Sequence, residues 1–256
     1  MKELLTYLAE VIACSAALLA AYALLLERRV RFGWCRRYLT ALLPLAALIP
    51  LLRIPVWPGE VITATAAPTA PIPATAWAPV PEVLPAAEPL VTPRTLLIAV
   101  CLLGTATLAG AMLREALRIR RLRRRATVTN AGRLHLVRTR ERIASFSFFR
   151  SVYVWEGTPG DEMQAVLMHE ASHIAHRHTA ERLLMETFKA LQWWNPVAWI
   201  AARRLTEAQE FEADRDVLTQ GFDRERYMHT IFRQLFGYSP DIANGLRDSL
   251  TKKDSR

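Results

Sequence analysis

The stretch of sequence that decides both the fold and the chemistry is Met163-Gln-Ala-Val-Leu-Met-His169-Glu170-Ala-Ser-His173-Ile-Ala-His176-Arg177-His178. Its apolar residues recur at helical spacing, which places His169 and His173 one turn apart on the same helix face. Two imidazoles in this arrangement can bind one Zn²⁺. Glu170 follows the first histidine and can take a proton from a water that the metal activates. This H-E-x-x-H pattern is typical of metal-dependent peptide hydrolysis, and the alternative is a solvated helix face that carries these side chains.

A second helical stretch, residues 203–218, offers a third ligand for the metal. Glu210 and Asp214 are four residues apart in it and therefore share one helix face. A catalytic zinc site takes three protein ligands and keeps one position open. We therefore predict Glu210 as the third ligand and Asp214 as the acceptor of the remaining N–H of a ligand histidine. The alternative is that this acidic stretch is only a charged outer face.

The order of these motifs resembles that of the BlaR/MecR-type membrane metallopeptidases, which include the catalytic part of β-lactam sensor-transducers. The resemblance rests on H-E-x-x-H at 169–173, Trp193-Trp-Asn195-Pro196-Val-Ala-Trp199, E-x-x-x-D at 210–214, and similar segments at 145–149 and 249–253. It implies Zn²⁺ bound by the two histidines and Glu210, Glu170 as the general base, and a gluzincin-like helical fold.

Three departures from the family pattern limit what the resemblance implies. Ala213 stands where the family often has Cys, and E-x-x-A-D is common in the related heat-shock and prenyl-protein peptidases. The sensor-transducers also have a fourth span and an extracellular penicillin-binding domain, and we expect neither within these 256 residues. We therefore do not expect this chain to sense β-lactams. We expect a separate partner protein to act as the sensor.

Composition and charge indicate a membrane protein. The chain is 52% hydrophobic although its last hundred residues are rich in charge, so the apolar residues are concentrated earlier. The net charge of +9 comes from arginines that lie beside apolar runs, which favours lipid headgroups as their partner and a lipid bilayer as the environment. No nucleic-acid partner is expected. The three cysteines have no metal-ligand spacing and predict no disulfide framework.

We predict three membrane spans, at about 4–26, 38–57 and 95–113. A secretory signal peptide is the alternative for the first, but the run is long and no cleavage site follows it. One arginine-rich loop lies between the first and second spans, and another follows the third span. The positive-inside rule therefore places both loops and the zinc domain in the cytoplasm and the N-terminus outside. The predicted domains are a membrane domain (1–113, with an external Pro/Ala-rich loop at 55–93), a basic juxtamembrane segment (114–126) and a zinc metallopeptidase domain (127–256).

Two further assignments concern substrate binding and catalysis. The alternating pattern in residues 127–155 predicts short strands, and an edge strand near the zinc helix is the expected place for an extended substrate. The candidate edge strand consists of Ser151, Val152, Tyr153 and Val154, and an internal hairpin that packs on the helices is the alternative. In the last predicted helix, 224–236, the candidates for stabilising an oxyanion are Tyr227, His229 and Arg233. His229 is the first choice among them, with a capped or solvated histidine as the alternative. His176 and His178 are excluded from the ligand set.

The predicted fold is a mainly α membrane protein: three transmembrane helices and a cytoplasmic gluzincin-like α+β zinc peptidase domain with a small β-sheet. The predicted function is a zinc-dependent endopeptidase of the inner membrane. It would cleave a protein at the cytoplasmic face, in signal transduction or in regulated proteolysis of a transcriptional repressor. The alternatives are a non-catalytic zinc-binding membrane regulator and a quality-control peptidase for membrane proteins. The presence of Glu170 argues against the regulator, because a structural zinc site needs no base.

Overall fold

The computed structural model describes residues 2–27, 29–52 and 92–236, which are mostly helical with one small sheet. Helix α1 (Lys2–Ala21) continues into a π-helical turn (Tyr22–Leu26), and α2 (Phe32–Leu48) into a 3₁₀ turn (Ile49–Leu51). The remaining elements are α3 (Pro93–Arg125), β1 (Thr127–Ala131), β2 (Leu134–Thr139), β3 (Phe146–Phe148), β4 (Ser151–Trp155), α4 (Gly160–Ala175), α5 (His178–Leu191), α6 (Pro196–Thr219) and α7 (Arg224–Phe236).

Two helices in the described part of the chain are long and apolar enough to cross a membrane. They are α1 with its π-helical turn, Lys2–Leu26, and α3, Pro93–Arg125. The first and third predicted spans fall on these two helices. The second falls mainly on α2, which has 17 residues and does not reach that length. The end of that predicted span and residues 55–91 of the predicted external loop lie outside the described residues.

The N-terminal helices and the helices of the predicted peptidase domain share one core. Leu39 and Leu43 of α2 are fully buried in a cluster with Met185 of α5 and Leu205 of α6. Helix α3 also continues without a break into the basic segment predicted at 114–126 and ends at Arg125. The core therefore crosses the boundary that the sequence placed at residue 113.

The turn between α5 and α6 is tied to all three N-terminal helices. Asn195 caps α6 by accepting a hydrogen bond from the backbone N–H of Val197, and Pro196 follows at the first helical position. Three side chains of the turn each donate one hydrogen bond to a different helix: Asn195 to Ser15 Oγ (3.0 Å), Gln192 to Leu43 O (3.1 Å) and Trp193 to Cys101 O (3.1 Å). These bonds fix where α6 begins relative to α1, α2 and α3.

The sheet has the strand order β1-β2-β4-β3, and this order corrects the predicted edge strand. Residues Ser151–Trp155 form β4, which pairs with β2 in parallel and with β3 antiparallel. Ser151, Val152, Tyr153 and Val154 are buried and their strand is internal. The edge on this side is β3, which joins β4 in a hairpin through Phe149, a residue with positive φ. The prediction failed because the edge is decided by the pairing of β4 with β2, which precedes it in the chain.

The side chains of Val152 and Val154 pack against Val166 of α4. This contact sets the apolar face of α4 on the sheet, next to the β3 edge. The opposite face of α4 is thereby turned toward α6.

A matched pair of glycines in α3 tests the packing of the α5–α6 turn. A Cβ at Gly104 would collide with the indole of Trp193, whereas a Cβ at Gly110 would meet nothing within 4 Å. Because the indole is also held by its hydrogen bond to Cys101, we expect Gly104→Ala to lower the free energy of unfolding by about 1–3 kcal/mol. Gly110→Ala, the control, should be neutral or stabilising by up to about 1 kcal/mol. Thermal unfolding of the purified protein in detergent measures both, and equal stability of the two variants would contradict the packing.

Candidate metal centre

Helix α4 carries the H-E-x-x-H residues and ends directly after them. It runs from Gly160 to Ala175, and Arg177 then adopts a left-handed conformation with φ of 59°. This turn starts α5 at His178, so α5 is a separate helix and does not continue α4. The break brings a residue that follows the motif in sequence into contact with the motif in space.

Three ligand-type atoms converge between α4 and α6. Nε2 of His169 lies 3.1 Å from Nε2 of His173. Oε2 of Glu210 lies 3.4 Å from the first of these nitrogens and 3.6 Å from the second. Ligands about 2.0–2.1 Å from a tetrahedral zinc ion are separated by about 3.3–3.4 Å, so the observed spacing fits such an ion. The structure thus brings together the three residues that the sequence nominated as ligands, in a group that could hold a metal ion.

His169 is held from behind by two groups on its other ring nitrogen. Nδ1 lies 2.7 Å from the hydroxyl of Tyr227 and 3.2 Å from Oδ1 of Asp214, and the Tyr227 hydroxyl donates to the same Asp214 oxygen at 2.8 Å. With acceptors on this side, the proton of the neutral imidazole belongs on Nδ1 and Nε2 keeps its lone pair for a metal. Asp214 lies where the sequence prediction put it. The sequence offered Tyr227 only as one of three candidates for stabilising an oxyanion, and its contact with His169 was not predicted.

His173 is held in the same way by a residue that sequence reasoning set aside. Its Nδ1 lies 2.7 Å from Nδ1 of His178, whose Nε2 lies 3.3 Å from Oε2 of Glu212. His178 is 1% exposed. Burial, together with the nearby His173 and Arg36, lowers the pKa of His178 to about 2, so this imidazole is neutral. His178 was set aside in the sequence analysis, but it contacts the candidate ligand His173.

Glu170 lies beside the convergent atoms and is buried, with 5% of its surface exposed. Burial raises the pKa of this carboxyl above its ordinary value, against the opposing effect of His169, His173 and a hydrogen bond with Ser147 of β3. A carboxylate with a raised pKa at the metal centre has the properties that a general base needs near neutral pH.

The electrostatics of the convergent atoms also fit a cation. Burial alone would raise the pKa of Glu210, but hydrogen bonds with His169 and His173 lower it. Burial alone would lower the pKa of His169, but hydrogen bonds with Asp214 and Glu210 raise it to about 10. The acidic groups thus favour positive charge at this point, which a divalent cation would supply in place of a proton.

A cavity of about 790 Å³ opens onto these residues. Strand β3 lines it with Phe146, Ser147 and Phe148, and α5 and α7 supply other walls. Tyr227 and Thr230 of α7 reach the cavity, whereas His229 is not among the described residues that line it. His229 is two residues from Tyr227, which places it about 200° around the helix axis. The position predicted for His229 is thus filled by Tyr227, and an oxyanion role for His229 has no geometric support.

The sequence of residues 227–230 did not single out Tyr227, because tertiary packing decides which face of α7 is turned toward α4. For His178, the sequence signal was the histidine itself, but the turn at Arg177 could not be read from an uninterrupted helical pattern.

We predict that removing the Tyr227 hydroxyl weakens metal binding without removing a ligand. Tyr227→Phe deletes the group that lies 2.7 Å from Nδ1 of His169, so we expect a 10–100-fold lower affinity for Zn²⁺, measured by competition with a chromophoric chelator. Tyr7→Phe is the control, because that hydroxyl bonds to the carbonyl of Ala47, far from the site. Unchanged affinity in Tyr227→Phe would show that this contact does not orient His169.

Comparison with known proteins supports a peptidase. Residues 153–254 match the family model described as BlaR1 peptidase M56. The matched region contains the three convergent residues, Glu170 and the residues that hold them from behind. No curated protein matches the chain. Residues 153–254 are therefore similar to the BlaR1 peptidase M56 family, which supports the resemblance drawn from the motifs of the chain.

Proposed function

We propose that this protein is a membrane-associated zinc metallopeptidase that cleaves a protein substrate at the cytoplasmic face of the inner membrane. The observation that carries the proposal is the convergence of His169, His173 and Glu210 within 4.8 Å of one another, with the buried Glu170 beside them. Two nitrogens and one oxygen are a typical donor set of a hydrolytic zinc site, and three ligands leave one coordination position open.

The residues of the chain supply the proton transfers of the proposed reaction. When bound, zinc supplies Lewis acidity, which polarises the scissile carbonyl and acidifies a water. Glu170 takes the proton of the attacking water and later delivers it to the leaving amine. The Ser147 hydroxyl orients the Glu170 carboxylate from β3, while Asp214 and Tyr227 hold His169 in the tautomer that leaves Nε2 free.

We propose that the substrate binds in an extended conformation along β3. This strand forms the edge of the described sheet, its residues line the cavity, and Ser147 contacts Glu170. Backbone hydrogen bonds to an edge strand bind a peptide with little dependence on its sequence. The proposed substrate-binding strand is therefore β3 and not β4.

We propose that α1 and α3 span the inner membrane, with the N-terminus outside and the metal centre in the cytoplasm. Arginines at the end of α3 support this orientation. Leu191, Trp199 and Ile200 are exposed near the α5–α6 turn, which bonds to Ser15 in the middle of α1 and to Cys101 of α3. These exposed apolar side chains thus extend the lipid-facing surface of the spans.

For the biological role, we propose regulated proteolysis of a cytoplasmic regulator such as a transcriptional repressor, with a separate sensor protein supplying the signal. The support is the family resemblance and the placement of the metal centre beside the N-terminal helices. Mass spectrometry of new protein termini in cells expressing the wild type or a Glu170→Gln variant tests this role. A cleaved repressor supports signalling, and many cleaved membrane proteins indicate quality control instead.

Two variants distinguish the proposed general base, Glu170, from the proposed metal ligand, His169. Glu170→Gln keeps all three ligands, so we expect normal zinc content and a loss of hydrolysis of about 10²–10⁴-fold or more. His169→Ala removes a ligand, so we expect loss of both zinc and hydrolysis. Metal analysis and a peptide-cleavage assay measure these effects. Glu207→Gln is the control, because this residue pairs with Arg203 on an exposed part of α6. Cleavage by Glu170→Gln at the wild-type rate would exclude Glu170 as the base.

Labelling of single cysteines tests the membrane placement. In a background without Cys14, Cys35 and Cys101, we expect Leu102→Cys on α3 and Ile200→Cys on α6 to resist a membrane-impermeant maleimide in inside-out vesicles. Both side chains are exposed in the structure, 64% and 49% respectively, so resistance would report lipid. Phe149→Cys, on the β3–β4 turn, is the accessible control. Labelling of Leu102→Cys would contradict a span at α3, and labelling of Ile200→Cys alone would contradict lipid contact at the turn.

A further inference from the structure

Arg36 is a charged residue that is buried although it belongs to an apolar helix. It lies on α2, outside the region that matches the peptidase family, and is only 6% exposed. A buried guanidinium is costly unless it is paired and hydrogen-bonded. Its partners are all in the peptidase part of the chain, on α6, on α5 and at the turn between α4 and α5.

We propose that Arg36 is a positioning residue for the metal centre, which orients the ligand His173 through Glu212 and His178. This inference rests on the proposed metallopeptidase function and goes beyond it, because it extends the site to a helix of the N-terminal region.

The guanidinium of Arg36 bridges α5 and α6. Its Nη1 lies 2.8 Å from Oε2 of Glu181 on α5 and donates to the backbone carbonyl of His176 at 3.2 Å. Its Nε lies 2.8 Å from Oε2 of Glu212 on α6, in a close ion pair rather than an aligned hydrogen bond. One guanidinium thus fixes both acidic side chains and the end of α4. An ammonium group lacks this fork geometry.

Glu212 connects Arg36 to the candidate metal ligand His173 through His178. Oε2 of Glu212, the oxygen that Arg36 contacts, also lies 3.3 Å from Nε2 of His178. The carboxylate therefore holds the proton of His178 on Nε2 and leaves Nδ1 as an acceptor. That Nδ1 lies 2.7 Å from Nδ1 of His173, which can then donate its own proton. The result is a His173 whose Nε2 lone pair faces His169 and Glu210.

The contacts from Arg36 through Glu212 and His178 to His173, here called the relay, are buried and cross-braced. Glu212 is 4% exposed, so water does not compete for its contacts. Gln209 donates to Glu181 at 2.9 Å and to the carbonyl of His178 at 3.4 Å. A buried network of this kind has few alternative arrangements, because each polar group loses its partners if one member moves.

The relay for His173 differs from that for His169 in where it ends. His169 is held by Asp214 and Tyr227, both in the matched peptidase region. His173 is held by a chain that ends on α2. Arg36 thus connects α2 to the side chains that hold His173, whereas Asp214 and Tyr227, which hold His169, are not among the partners of its guanidinium.

The test uses Co²⁺ binding by the full chain in detergent, with the visible spectrum of the bound ion as the readout of ligand geometry. In Arg36→Met the side chain remains long but loses its charge and its donors. We expect a 10–100-fold lower Co²⁺ affinity and an altered spectrum. Arg36→Lys keeps the charge but not the fork, so it should show a smaller change in the same direction. Arg204→Met is the control, because Arg204 is half-exposed and pairs with Glu27 and Glu207.

A second change checks that the effect travels through Glu212. In Arg36→Met combined with Glu212→Gln, the buried Glu212 carboxylate that would lack its cation is replaced by a neutral amide, and the amide oxygen can still accept from His178. We expect part of the lost Co²⁺ affinity to return. A general loss of structure would not produce this recovery, and a thermal unfolding curve for each variant shows which ones are folded. If Arg36→Met does not fold, Arg36→Lys and the combined variant decide the question.

Wild-type affinity and spectrum in the folded Arg36 variants would overturn the inference. A wild-type chain that binds no Co²⁺, or that binds it equally well after His169→Ala, would instead overturn the proposed function. The two failures are therefore distinguishable in one set of titrations.

Discussion

The candidate metal centre depends on one constraint: His169 and His173 must both present Nε2 to the same point. Each does so because its Nδ1 is held from behind, in one case by Tyr227 and Asp214 and in the other by His178. An imidazole that is free to rotate or to change tautomer would offer a weaker site. The short distances between ligand atoms are thus a property of the surrounding helices as much as of the motif itself.

These surrounding helices come from both halves of the chain. The core shared by α2, α5 and α6 and the hydrogen bonds from the α5–α6 turn to α1, α2 and α3 make the peptidase helices continuous with the apolar N-terminal ones. α6 carries Glu210 and is fixed at its start by that turn. The position of the third ligand therefore depends on packing against the N-terminal helices.

The sheet contributes orientation and a border to the cavity. Its buried strand β4 supports α4 through Val152 and Val154, while β3 brings Ser147 to Glu170 and leaves one side of the sheet without a partner strand among the described residues. The same small element thus sets the direction of the motif helix and offers backbone groups next to it. This combination explains why β3, with only three residues, lies at the centre of the proposed substrate site.

The sequence by itself determined which residues are candidates for a metal centre and the helix faces on which they lie. His169, His173, Glu210 and Asp214 could be placed because helical periodicity is a local property of the backbone and ligand chemistry is a property of the side chain. Their roles as ligands remain predictions, although the structure brings them together. Only the tertiary structure decided that β3 is the edge strand, that Tyr227 and not His229 faces the cavity, and that His178 and Arg36 reach the centre. Each of these depends on contacts between segments distant in sequence, which no local pattern encodes.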